Sequence, residues 1–153
     1  MHRTNAEAQT SPVSGSLTQP LKVIVADDNR DVLLTLRMWL EADGCVVQTF
    51  ASGEHLVDAV REFQPDVCIL DIEMPVSSGY AVAGQIRAAY GSQRPLMIAI
   101  SGKWCRAPDR LLAMSCGFDH FLEKPADPRD LSRILEDLKR SRGAALRPVG
   151  GNA

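Results

Sequence analysis

None of the four cysteines, Cys45, Cys68, Cys105 and Cys116, stands in a C-x-x-C pair. That argues against a zinc site, and two of the four fall inside or at the start of apolar runs, where a disulfide framework is out of place. Reduced, mostly buried thiols are expected. An excess of either charge is also lacking: 17 Lys and Arg stand against 19 Asp and Glu, for a net charge of -2 and a pI near 5.9. Bulk electrostatic attraction to nucleic acid or to anionic lipid is therefore excluded. No apolar run reaches the length of a membrane span, and the N-terminus has no apolar core of a secretion signal, so a cytoplasmic protein without a membrane partner is expected. Glycine is missing where a nucleotide site would need it: the turn Ala26-Asp27-Asp28-Asn29 holds none. This excludes a G-x-G-x-x-G dinucleotide site, and a Walker loop is absent as well. The three histidines, His2, His55 and His120, are scattered and read as surface or packing residues.

What remains is enough for one ordinary domain. With 153 residues and 45% hydrophobic content the chain can bury a sizeable core, and it has no room for a second domain of normal size. Residues 1–20 are rich in Ser, Thr, Gln, Ala and Gly and cannot repay the entropy of ordering, so a flexible tail is expected there. Residues 143–153 are expected to form a second loose end.

Between them, strand and helix alternate five times. Leu21 to Ala26 is a β-branched run, and Asn29 or Asp28 can cap a helix over 30–42 whose stripe is Val32, Leu33, Leu36, Trp39 and Leu40. Cys45 to Phe50 is a second strand. Ser52-Gly53-Glu54 opens a helix with Leu56, Val57, Val60 and Phe63 on one face, ended by Pro65. Val67 to Leu70 is apolar without alternation, the habit of a strand buried on both faces, and it delivers Asp71 at its end. A turn-rich loop leads to a third helix carrying Tyr80, Val82, Ala83 and Ile86. Leu96 to Ile100 is the second fully apolar strand, ending at Ser101-Gly102. Pro108 suits the first turn of a fourth helix, with Leu111, Leu112 and Met114 predicted to pack inward. Phe118 to Leu122 is predicted as the fifth strand, followed by Lys124-Pro125 and a last helix with Leu131, Ile134, Leu135 and Leu138 inward. The pattern predicts an open, doubly wound α/β fold with right-handed crossovers.

Ligands in such sheets bind at the carboxyl ends of the strands. Those ends carry Asp27 and Asp28, then Asp71, then Ser101, with Lys124 just after the fifth strand. Gathered carboxylates repel by roughly 4 kcal/mol per pair at short range. A cation is needed, and a few hard oxygen donors with room for water suit Mg²⁺ near a phosphate better than Zn²⁺.

Together these residues resemble the receiver domain of bacterial response regulators over 21–142. The resemblance is carried by Asp27-Asp28, by Asp71 in DIEMP with Pro75 and Gly79 following, by Ser101 beside Gly102, and by Phe121 with Lys124-Pro125 in FLEKP. It implies a flavodoxin-like (βα)5 parallel sheet of order 2-1-3-4-5, and a phosphoryl group moved onto Asp71 from a phosphohistidine of a sensor histidine kinase or histidine phosphotransfer protein. It also implies Mg²⁺ held by Asp27, Asp28, Asp71 and the backbone carbonyl of Glu73, with Lys124 and Ser101 meeting the phosphoryl oxygens. Ser101 and Phe121 would form a switch that reshapes the face of the fourth helix, fifth strand and fifth helix for a downstream protein, with a homodimer on the same face a further candidate. Phe121 lacks a tyrosine hydroxyl, so its two ring positions are expected to differ little in polar contacts. Glu73 and Lys103, of opposite charge, frame the mouth of the site and are expected to gate water.

Ser78 stands where many receivers carry an acid, and Ala126 follows Lys-Pro where a large apolar residue is frequent. Nothing after Arg142 is long enough for a DNA-binding domain, so a stand-alone receiver, a binding module or relay carrier rather than an enzyme of metabolism, is expected. A pseudo-receiver that works without phosphorylation is the alternative; the full set of site residues argues against it. A phosphohydrolase with an aspartyl-phosphate intermediate would need an aspartate where Glu73 stands.

Overall fold

The computed structural model describes residues 19–92, 94–103 and 106–145. The predicted tails fall largely outside these, as do His2 and Cys105. Five strands, β1 (Lys22–Ala26), β2 (Val46–Phe50), β3 (Val67–Asp71), β4 (Leu96–Ser101) and β5 (His120–Glu123), alternate with five helices, α1 (Arg30–Ala42), α2 (Leu56–Phe63), α3 (Gly79–Tyr90), α4 (Ala107–Cys116) and α5 (Pro128–Ala145). The strands form one parallel sheet of order β2-β1-β3-β4-β5, as predicted.

The unbroken apolar runs explain why β3 lies at the centre. Every residue of β3 is buried, and its alternate side chains serve two cores. Val67 and Ile69 join Val23, Val25, Leu33, Leu40, Ile98, Ile100, Leu131 and Leu135 on one face of the sheet. Cys68 and Leu70 join Ile24, Leu56, Val60, Ala83, Ile86, Met97 and Phe118 on the other. Each such aliphatic side chain contributes about 1.5–3 kcal/mol by leaving water. This packing fixes the height at which the strands end, and so the level of Asp71.

Helix starts follow local chemistry. Asn29 caps α1 by accepting the N–H of Asp31 and of Val32 through its side chain, and Ser78 caps α3 by accepting that of Ala81. Helix α2 begins at Leu56, later than predicted. Gly53 presses against the β3–α3 loop so closely that a Cβ there would lie 2.7 Å from the Ser77 carbonyl oxygen, which holds the preceding segment in a turn. Helix α5 continues past Arg142 to Ala145.

Two expectations are corrected. Leu111, Leu112 and Met114 of α4 are 69%, 49% and 51% exposed; the buried residue is Ala113. The apolar spacing was real but lies on the wrong side of the helix, whose inward stripe is Asp109, Ala113 and Cys116, small or polar residues one helical repeat apart. Strand β5 starts at His120 rather than Phe118, because Phe118 is spent on the core. Asp119 is also tied down: its carboxylate accepts from Arg87 at 2.7 Å and from the Met97 N–H at 2.8 Å, and Arg87 also donates to the carbonyls of Gly117 and Pro95.

Candidate phosphoryl-acceptor site

The ends of β1 and β3 and the segment just after β5 bring their groups to the same spot. Asp27, at the end of β1, is 2% exposed, and Asp71, at the end of β3, is 4% exposed. The adjacent Asp28 is exposed. Carboxylate oxygens of all three lie within 4.8 Å of one another. Lys124, just after β5, reaches across the sheet edge, its Nζ 2.8 Å from Asp27 Oδ2 and 3.1 Å from Asp71 Oδ2. The other oxygens are held by the backbone: Asp27 Oδ1 accepts the Asn29 N–H at 2.9 Å, and Asp71 Oδ1 the Glu73 N–H at 3.1 Å. Asp71 is thus aimed by two donors on two elements.

Burial pushes the Asp71 carboxyl up to about 6, and the charge of Asp27 adds to the rise against the lowering effect of Lys124 and the Glu73 N–H. Lys124 shows the opposite balance. Burial alone would lower its ammonium, but the hydrogen bonds to Asp27 and Asp71 outweigh that and hold it above the ordinary lysine value.

Gly79 explains its own place in the motif. A Cβ there would lie 2.5 Å from the Asp71 carbonyl oxygen and 3.0 Å from the Ile72 Cα, both main-chain atoms that cannot swing aside. Gly79→Ala is therefore expected to lower stability by about 2 kcal/mol in urea unfolding and to displace the end of β3. An unchanged midpoint would show that the loop relaxes freely.

Ser101 is 3% exposed. Its hydroxyl donates to the Lys103 carbonyl at 2.7 Å and accepts the Lys103 N–H at 3.3 Å, which turns it into its own loop. Lys103 Nζ lies 3.5 Å from Glu73 Oε2, so the pair proposed to frame the mouth does meet, with side chains 70% and 48% exposed. Phe121 packs its half-buried ring against the core cluster that includes Ala113 of α4. The Arg110 guanidinium stands over the ring, 5.5 Å from the centroid. The same guanidinium lies 3.6 Å from Glu123 Oε1. Nothing in the sequence pointed to Arg110, because it sits on a different element from the residues it touches.

The donor set fits Mg²⁺. Three carboxylates with no His or Cys among them offer hard oxygens only, and two of them are buried with a single ammonium contacting both. Zinc would want nitrogen or sulfur ligands.

Residues 23–136 match the family model for the response regulator receiver domain. The chain belongs to that family. It is 31% identical over 128 residues to the transcriptional regulatory protein PrrA of Mycobacterium tuberculosis, which covers 84% of this chain and 53% of that protein. The chain therefore spans about half the length of that regulator. The crystal structure of the N-terminal domain of an uncharacterized protein from Wolinella succinogenes superposes with a TM-score of 0.74 at 28% identity, covering 82% of this chain and 98% of that one. The receiver domain of Ssk1 from Saccharomyces cerevisiae, solved with the histidine phosphotransfer protein Ypd1, shares the fold with a TM-score of 0.68 at 20% identity, over 76% of this chain and 87% of that one. Among the described residues, no helix is long and apolar enough to cross a membrane.

Proposed function

We propose that Asp71 accepts a phosphoryl group from the phosphohistidine of a sensor histidine kinase or a histidine phosphotransfer protein, and that the change is passed to a protein-binding surface in the cytoplasm. The observation that carries this reading is the convergence on Asp71 of Lys124 and the Glu73 N–H, with Asp27 and Asp28 beside it and Ser101 at the next strand end.

In the step itself, Asp71 Oδ attacks phosphorus, a P–O bond forms, the P–N bond to the donor imidazole breaks, and the imidazole leaves with its electron pair and takes up a proton. The Glu73 N–H orients the nucleophile. Lys124 already touches the oxygen of Asp71, so its ammonium is in reach of the incoming phosphoryl oxygens. Asp27, Asp28, Asp71 and the Glu73 main-chain carbonyl would hold Mg²⁺, which supplies charge neutralisation between the carboxylates and the phosphoryl group. Ser101 would release the Lys103 backbone and donate its hydroxyl to a phosphoryl oxygen. The vacated space lies on the side of the sheet that holds Phe121, and through that ring the face of α4, β5 and α5 would change for a downstream protein or a second copy of the chain. A phosphohydrolase fits less well, since Glu73, where it would place its acid/base aspartate, is paired with Lys103.

Incubation with autophosphorylated candidate donors in Mg²⁺ tests the reading. Label should pass to the chain and fail to pass to Asp71→Asn; label retained by that variant would contradict it. The Glu73–Lys103 pair should act on lifetime. Being exposed, it is worth about 0–1 kcal/mol to stability, yet two long side chains across the opening narrow the approach of water. Replacing both by Ala is expected to speed loss of phosphate from Asp71 while leaving the urea midpoint nearly unchanged. A decay time equal to the parent's would mean that the pair is no gate.

A further inference from the structure

Resting on the acceptor reading above, we propose that Arg110 is a positioning residue that restrains the Ser101–Phe121 switch by holding the Phe121 ring against α4. Strand register pairs Ala99 with Phe121 and Ser101 with Glu123. Side chains two apart on a strand leave the sheet on the same face, so Ser101, Phe121 and Glu123 all project toward the side covered by α4. Arg110 comes from α4 and touches two of the three: its guanidinium lies over the Phe121 ring at 5.5 Å and 3.6 Å from Glu123. It thus bridges the aromatic ring and the acid that is in register with the serine.

The contact matters because it ties the exposed face of α4 to a ring of the sheet. Among the residues of α4 only Ala113 is buried, while Leu111, Leu112 and Met114 face outward. A ring moving toward the space beside Ser101 must leave the guanidinium, and the cation–π attraction opposes that departure. A phenylalanine has no hydroxyl to anchor it by hydrogen bonding, so the cation is the polar partner that gives its present position a preference. Ligand binding at Asp71 that favours the moved ring must overcome this hold, and removing the hold shifts the population before any ligand arrives. An exposed cation–π contact corresponds to a population factor of about two- to fivefold.

The test uses beryllofluoride with Mg²⁺ as a non-transferable stand-in for the phosphoryl group, titrated into the full chain with the Phe121 ring and the Ser101 amide followed by NMR. Arg110→Gln should shift the ring signals without ligand and tighten beryllofluoride binding by about two- to fivefold. Arg110→Lys, which keeps a cation, should return toward the parent. Glu123→Gln, which removes the ion pair and leaves the cation over the ring, should bind like the parent. Arg110 is half exposed, so these variants should fold. Ring signals and affinity unchanged in Arg110→Gln would overturn the proposal, as would Glu123→Gln reproducing its whole effect. No Mg²⁺-dependent binding by the parent would overturn the acceptor reading itself and this inference with it, whereas equal binding by parent and variants would overturn this inference alone.

Discussion

In metal-free buffer at neutral pH, Lys124→Met is expected to lose about 3 kcal/mol of folding stability, read as a lower urea midpoint. The ammonium it removes lies 2.8 Å from Asp27 and 3.1 Å from Asp71, and both acids are almost wholly buried. Without it the two carboxylates face each other with no compensating charge between them, and breaking a buried ion pair costs more than the pair contributes when intact. The methionine chain keeps the packing of the lysine stem, so the loss reports the charge. Mg²⁺ should return a part of the stability by binding the same carboxylates. Asp28→Asn, made in the Lys124→Met background, should weaken that return, because it removes the exposed third carboxylate of the cluster. Equal midpoints for parent and Lys124→Met would show that the acids are satisfied without the lysine.

Asp71→Asn should act with the opposite sign. Burial raises the folded Asp71 carboxyl from 3.8 to about 6, and at about 1.4 kcal/mol per pH unit the ionised form costs the fold about 3 kcal/mol at neutral pH. The sign follows from proton binding. Between pH 6 and 4 the folded protein holds a proton that the unfolded chain releases, so the contribution of this group to stability is fully present below about 3.8 and is lost as pH rises through about 6. The asparagine has no such dependence. In chelator, the variant should therefore be more stable than the parent above pH 6, with the difference shrinking toward pH 4. Urea midpoints across that range check it, and a difference that does not change with pH would refute the electrostatic cause. The same variant should accept no phosphoryl group, so stability and labelling are predicted to move in opposite directions.

The parallel sheet was legible because Val67 to Leu70 and Leu96 to Ile100 are apolar without alternation, the habit of strands covered on both faces, whereas the strand order followed from the receiver resemblance. The site residues were legible for the same reason: once strand ends are located, Asp27, Asp28, Asp71, Ser101 and Lys124 must share one edge. Which aspartate of the first pair turns inward was not legible, since both follow the strand and only the Asn29 N–H and Lys124 decide for Asp27. The orientation of α4 was misread because Leu111, Leu112 and Met114 have a helical period on either face, and burial of Ala113 is a tertiary choice. Arg110 over Phe121 is a contact between elements that no local spacing announces.

Intact-mass analysis after incubation with a small acyl phosphate bears most directly on the central claim, because it asks whether Asp71 reacts without any partner. The parent in Mg²⁺ should gain the mass of one phosphoryl group, held in acid and released in base, and the gain should vanish in chelator and in Asp71→Asn. A base-stable phosphate, or one that persists in Asp71→Asn, would contradict it.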